Sequence, residues 1–282
     1  MPEELVSFTS GGTELYGTMG LPAGRVKGAV IIAHGWSGCR MGPHRILVEM
    51  SRNLNHRGIA TLRFDFRGRG DSAGDKFETD IDGMFSDTVA GVTFVTEKFG
   101  ANTPVGLLGM CSGGNVVLGA LEECGEVEGA VCWSTYPFQS QRETKQDVKR
   151  TGHFAVEYIK KALCRETWLK LFRGEINFRM IVDVLFGHFG DGPDGERNPR
   201  KSVRDTEVVE SLKRFDGGLC FIFGGGDPEA SDAHRIFREF FAGSEATAEF
   251  QEIDGANHNF YSLGWKREVI RRTGQWMEDR LL

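Results

Sequence analysis

The chain carries only 8 prolines and 4 tyrosines in 282 residues. No run of apolar residues approaches the ~18 that span a bilayer, so a membrane-spanning role is not expected. The first residues, Met1-Pro2-Glu3-Glu4, show neither the basic start nor the apolar stretch of a secretory signal. Basic excess is missing too. Lys and Arg number 34 against 40 Asp and Glu, a net charge of −6, which argues against nucleic acid as a partner. Metal and nucleotide motifs are lacking: there is no HExxH, no CxxC and no calcium-loop pattern, and no GxGxxG follows the first strand. Gly224–Gly226 lacks the Lys-Ser/Thr of a phosphate loop. No cofactor and no metal is expected. The six cysteines are scattered, at 39, 111, 124, 132, 164 and 220, and several lie in apolar segments. Reduced thiols in a cytoplasmic protein are the expectation.

Glycine is what the chain has in excess, 38 residues. Without accompanying proline, this predicts tight strand-to-helix turns rather than linkers. Apolar β-branched runs do alternate with helical patterns. Leu5–Thr9 and Glu14–Met19 flank Gly11-Gly12 as a hairpin. Gly28–His34 is a near-continuous apolar strand of the kind buried on both faces of a parallel sheet. Pro43 opens a helix, followed by a strand over Ile59–Asp65, a helix over 80–99 and a strand over Pro104–Met110. A helix from Ser112 and a strand over Gly129–Ser134 come next. The rhythm then stops. Between 137 and 215 only helical stretches rich in large apolar residues are read, before strands at Gly218–Phe223 and Thr247–Ile253 and their helices resume the alternation. The expected fold is α/β: a doubly wound, mostly parallel sheet formed by 1–136 and 216–282, with a helical cap inserted at 137–215.

The strongest chemical signal is Gly109-Met110-Cys111-Ser112-Gly113-Gly114, lying between a strand and a helix. A nucleophile on a strained strand-to-helix turn needs nearly side-chain-free neighbours two residues before and after. Gly109 and Gly113 supply them around Cys111; for Ser112 the earlier neighbour would be Met110, which would crowd the turn. The register selects Cys111, and a helix beginning behind it favours the thiolate. A second G-x-S-x-G, Gly70–Gly74, leads into polar residues with no helix at Ser72, so Ser72 is not expected to react.

His34-Gly35-Trp36-Ser37-Gly38 ends the first parallel strand. An acyl-transfer oxyanion needs two backbone N–H donors, assigned here to Trp36 and Ser112. His34 is expected to brace that turn. Near the C-terminus, one strand runs into Gly224-Gly225-Gly226-Asp227-Pro228 and another into Asp254-Gly255-Ala256-Asn257-His258. Nucleophile, acid and histidine thus follow in the order Cys111, Asp227, His258. Asp254, four residues from His258, is the rival acid, expected instead to shape the turn. Cys39 is the rival thiol.

Together HGWSG, FDFRGRGDS, GMCSGG, GGGDP and GANH resemble the α/β-hydrolase superfamily, over nearly the whole chain outside the insertion. The cysteine variant resembles dienelactone hydrolases and the hydrolases associated with the exosortase A system. Arg40–Arg45 and Glu166–Gly174 are similar to the second group, which tends to carry Asp where Ser112 stands. The resemblance implies cleavage of a carboxylic ester or thioester through Cys111, His258 and Asp227, with no cofactor. The expected partner is a small acyl substrate with an apolar or aryl group, met by cap residues such as Trp168 and Phe186. Acyl transfer through the same thioester, or ligand binding without catalysis, are the alternatives.

Overall fold

The computed structural model describes residues 2–75, 79–125, 127–136, 212, 214–244 and 246–282. All of them fall within one compact unit, Met1–Phe138 with Pro199–Leu282. The cap read at 137–215 lies outside the described residues, apart from Leu212, Arg214 and Phe215. Trp168 and Phe186 lie outside them as well.

The described residues form eight strands and five helices. A hairpin, β1 (Glu3–Ser10) and β2 (Thr13–Gly20), leads into β3 (Gly28–Ala33). Then come α1 (Ile46–His56), β4 (Ile59–Phe64), α2 (Ile81–Phe99), β5 (Val105–Met110), α3 (Ser112–Ala120) and β6 (Gly129–Trp133). Further along the chain follow β7 (Gly218–Gly224), α4 (Ala230–Phe241), β8 (Thr247–Ile253) and α5 (Leu263–Leu281). One sheet carries all eight strands, ordered β1-β2-β4-β3-β5-β6-β7-β8. The pairs β1–β2 and β2–β4 are antiparallel, and every other neighbouring pair is parallel. Every residue of β3, β4, β5, β6 and β7 is buried, which explains the apolar sequences of β3, β5, β6 and β7; β4 buries Thr61 and Arg63 as well. The last strand, β8, lies at the sheet edge and alternates in exposure.

Two apolar cores sandwich the sheet. On one face Phe64, Phe66, Phe85, Val117 and Phe221 pack under α2, α3 and α4; on the other Ile32, Leu47, Trp133, Phe260 and Met277 pack under α1 and α5. Pro43 does not open α1 directly. It starts a short 3-10 turn, Pro43–Arg45, and α1 begins at Ile46, because His44 and Arg45 both take left-handed backbone angles. Among the described residues, no helix is long and apolar enough to cross a membrane.

Parallel pairing sets the chain ends that matter. The C-terminal tips of β3, β5, β6, β7 and β8 lie side by side along one edge of the sheet, the place where open α/β sheets bind ligands. At β5 the chain turns into α3 with almost no room. A Cβ on Gly109 would lie 2.3 Å from the Gly113 carbonyl oxygen, and one on Gly113 would lie 2.5 Å from the Ala33 carbonyl oxygen. Both contacts are with backbone, which cannot step aside. Gly109→Ala is therefore expected to lower stability by about 1–3 kcal/mol, the usual cost of overpacking, measured by urea unfolding. An unchanged unfolding midpoint would show that the elbow has slack that these distances deny.

Candidate active site

Cys111 sits alone between β5 and α3 with φ 57° and ψ −127°, a conformation that non-glycine residues rarely hold. Its N–H donates to the Trp133 carbonyl at 2.8 Å, and its own carbonyl accepts from the Gly114 N–H and from the Thr135 hydroxyl. The strained turn is thus tied to β6 on both sides of its peptide. Cys111 is the residue between strand and helix, and Ser112 is the first residue of α3.

Asp227 and His258 come to the same place from β7 and β8. The three consecutive glycines explain how. A Cβ on Gly224 would lie 2.4 Å from the Ala256 carbonyl oxygen. The Gly225 N–H bonds to Ile253 and the Gly226 N–H to Ala256, so the two loops are zipped together by backbone. This puts Asp227 Oδ2 2.8 Å from His258 Nδ1. His258 and Cys111 stand close enough that each shifts the other's protonation. Asp254 is exposed, and among the described residues its side chain has no hydrogen bond or ion pair.

Tyr136, three residues beyond the end of β6, was not among the residues read from sequence. Its hydroxyl lies 2.8 Å from Asp227 Oδ2 and 2.8 Å from His258 Nδ1, and its ring stacks on the imidazole at 5.3 Å. One proton assignment satisfies all three contacts. Tyr136 donates to Oδ2, and the Nδ1–H of His258 is shared between Oδ2 and the tyrosine oxygen. Its Nε2 is then left for Cys111.

The electrostatics follow from these contacts. Burial pushes the Asp227 carboxyl up, but hydrogen bonds from His258, Tyr136 and the Glu229 N–H outweigh it and hold the group below its ordinary value. Burial alone would make His258 a weaker base. The hydrogen bonds to Asp227 and Cys111, with both their charges, instead push it up to about 10. Burial raises the Cys111 thiol, yet His258 and the Ser112 N–H and hydroxyl bring it net below its ordinary value. The two shifts work in the same sense: each favours the thiolate–imidazolium form of the pair. Cys124, Cys132 and Cys220 are buried with raised values, and these thiols and Cys39 are free.

His34 is buried and braces its turn as expected, through the Gly35 carbonyl at 2.7 Å and the Phe66 N–H at 3.4 Å. The loop after β4 clamps the same turn from outside. Arg69 donates to the Trp36 carbonyl at 2.9 Å and stacks over its indole, while Arg40 binds Asp65 and Asp71. Ser72 is part of that clamp: its hydroxyl donates to the Asp65 carbonyl and accepts the Tyr16 N–H. The Trp36 N–H, read as an oxyanion donor, donates here to Ser112 Oγ at 2.7 Å. Among the described residues no three His, Cys, Asp or Glu side chains converge as a metal-binding set.

Comparison with known families now adds an independent finding. The family described as "Serine aminopeptidase, S33" matches residues 24–216. The chain belongs to this family. It is an α/β-hydrolase, and at the elbow of this S33 member stands a cysteine, although the family's description names a serine. No curated protein matches the chain in sequence. Solved structures do match in fold. An esterase from Pyrococcus furiosus superposes with TM-score 0.71 at 21% identity, covering 100% of this chain and 92% of its own. A dienelactone hydrolase from Anabaena variabilis gives 0.63 at 18%, covering 100% and 99%. Est1E from Butyrivibrio proteoclasticus, solved with ferulic acid bound, gives 0.65 at 16%, covering 98% of each chain.

Limited iodoacetamide is expected to label Cys111 before Cys39 and the buried thiols. Because the thiol is shifted down, the rate should rise to its plateau at a pH below the ordinary thiol range of ~8.5. His258→Ala removes the cation that favours the thiolate, so the midpoint should move to higher pH. Peptide mapping across a pH series reads both effects; a first label on Cys39, or an unmoved midpoint, would dismiss the ion pair. Tyr136→Phe keeps the ring and removes one donor from Asp227, and is expected to lower kcat roughly tenfold, the worth of one hydrogen bond to a charged group. Steady-state kinetics on the folded variant checks it.

Proposed function

We propose that the protein hydrolyses carboxylic esters and thioesters through a Cys111–His258–Asp227 triad and a thioester acyl-enzyme. The observation that carries this reading is a cysteine at a glycine-framed elbow, with an imidazole from the β8 loop backed at 2.8 Å by the Asp227 carboxylate. The Cys111 thiolate attacks the carbonyl carbon, and the carbonyl π pair moves onto oxygen. When the intermediate collapses, the leaving group takes the proton from His258 Nε2. Water then attacks the thioester, giving its proton to His258, and the thiolate leaves with the acid formed. Asp227 holds the imidazole in the tautomer this requires.

A sulfur nucleophile also narrows the substrate. A tetrahedral intermediate expels its weaker base, and thiolate is a better leaving group than alkoxide or amide nitrogen. Productive acylation therefore favours leaving groups of similar or lower basicity: thiols near pKa ~8.5 and phenols near ~10. Thioesters and aryl esters should turn over fastest, alkyl esters more slowly and amides least. Ferulic acid in the Butyrivibrio structure is an arylpropenoic acid bound on the same fold, which supports including acyl groups that carry an aromatic ring. We also propose, from its apolar and aromatic composition alone, that the insertion at 137–215 is a cap that sets acyl preference through residues such as Trp168 and Phe186.

A panel of aryl, alkyl and thio esters assayed for released acid tests the reading. Cys111→Ala should abolish turnover. Asp227→Asn should cut kcat by up to ~10⁴, by analogy with serine triads, and Asp254→Asn far less. Full activity in folded Cys111→Ala, or the reverse ranking of the two aspartates, would contradict the assignment.

A further inference from the structure

The contact that displaced the expected oxyanion donor has its own chemistry. Ser112 Oγ accepts the Trp36 N–H at 2.7 Å, at the short end for such a bond. A hydroxyl that accepts there still has one proton to give, and the neighbouring group it favours is the Cys111 thiolate, which Ser112 stabilises. The three groups are crowded into one spot. A Cβ on Gly35 would lie 3.5 Å from Cys111 Cβ and 3.7 Å from Ser112 Oγ. Trp36 cannot readily swing away, because Arg69 holds its carbonyl and its ring.

We infer that the Ser112 hydroxyl, held by the Trp36 N–H, is the side-chain donor of the oxyanion hole, serving the Cys111 sulfur before attack and the carbonyl oxygen after it. The inference rests on the cysteine-nucleophile reading above and names the donor set for it. During acylation the negative charge moves from sulfur to the oxygen two bonds away. As the Sγ–C bond forms, the carbonyl π pair becomes the oxyanion pair. The Ser112 proton stays on its own oxygen and changes only its acceptor, by rotation of the O–H. The Trp36 N–H keeps its bond throughout and polarises the hydroxyl, which makes it a stronger donor. The hole then consists of the Ser112 N–H and the Ser112 O–H, with Trp36 behind the second.

The test uses the full chain with Ser112→Ala, and the pair Ser112→Thr and Ser112→Val, which share a shape and differ in the hydroxyl. Acylation by an aryl ester is followed by stopped flow, and alkylation of Cys111 is followed against pH. Ser112→Ala is expected to lose roughly 10²-fold in kcat, the usual cost of one oxyanion donor, with KM little changed. Its alkylation midpoint should move to higher pH. Threonine should restore most of both effects and valine neither, so the comparison survives if the alanine variant fails to fold. Ser112→Ala turning over as fast as the parent, or faster, would overturn the inference: Trp36 would then be the direct donor and Ser112 a plug. An unmoved alkylation midpoint would overturn it as well. Cys111→Ala separates the two levels. If that variant is inactive while Ser112→Ala is fully active, only the Ser112 inference falls; if it remains active, the triad reading falls too.

Discussion

A buried carboxylate that has to stay charged organises this site. Asp227 is nearly sealed from water, and an unpaired charge there would cost several kcal/mol. Three donors remove that penalty: the imidazole, the tyrosine hydroxyl and the Glu229 N–H. With Asp227 held as an anion, the His258 imidazole is pushed toward its cationic form, and that in turn favours the Cys111 thiolate. Each group's charge is the reason for the next one's. Losing Asp227 should therefore raise the Cys111 thiol as well as lower the His258 imidazole, although Cys111 and Asp227 come from different strands.

The backbone pays for this arrangement in conformation. Cys111, Ser134 and Phe260 are non-glycine residues at positive φ, and they lie at the end of β5, just past β6 and just past His258. Such positions cost of order 1–3 kcal/mol each and persist only when their surroundings fix them. Here the fixing is visible. Cys111 is bound to Trp133 and Thr135, the Ser134 N–H to the Ile222 carbonyl, and the Phe260 N–H to the Asn257 carbonyl. Phe260 is also fully buried against Trp133. Strain and packing meet at the strand tips, where the chemistry is placed.

Much of this was legible in the sequence because the relevant signals are local. The apolar runs of β3 to β7 read as buried parallel strands, and the spacing of Gly109 and Gly113 distinguishes Cys111 from Ser112 without any structure. Polar residues after Gly70–Gly74 mark Ser72 as outside an elbow, and its hydroxyl is indeed spent on the Asp65 carbonyl. What escaped was information carried by contacts across the fold. Tyr136 is 91 residues from Asp227 and 122 from His258, and nothing in its own neighbourhood announces either partner. The bond from Trp36 to Ser112 spans 76 residues and depends on a side-chain rotamer, so a backbone-only template for the oxyanion hole could not foresee it. The one available hint was that Ser112 stands where the similar cysteine hydrolases tend to carry a different residue.

The most direct test of the account is the mass of the enzyme during turnover. Mixing the protein with excess aryl ester, quenching in acid within the first turnovers and digesting it should yield one peptide enlarged by the acyl group. The account predicts that the adduct sits on Cys111 and is released by neutral hydroxylamine, as a thioester is. Ester consumption with the acyl group on Ser112 or Ser72, or with no adduct on Cys111 under conditions where acylation outruns hydrolysis, would contradict it.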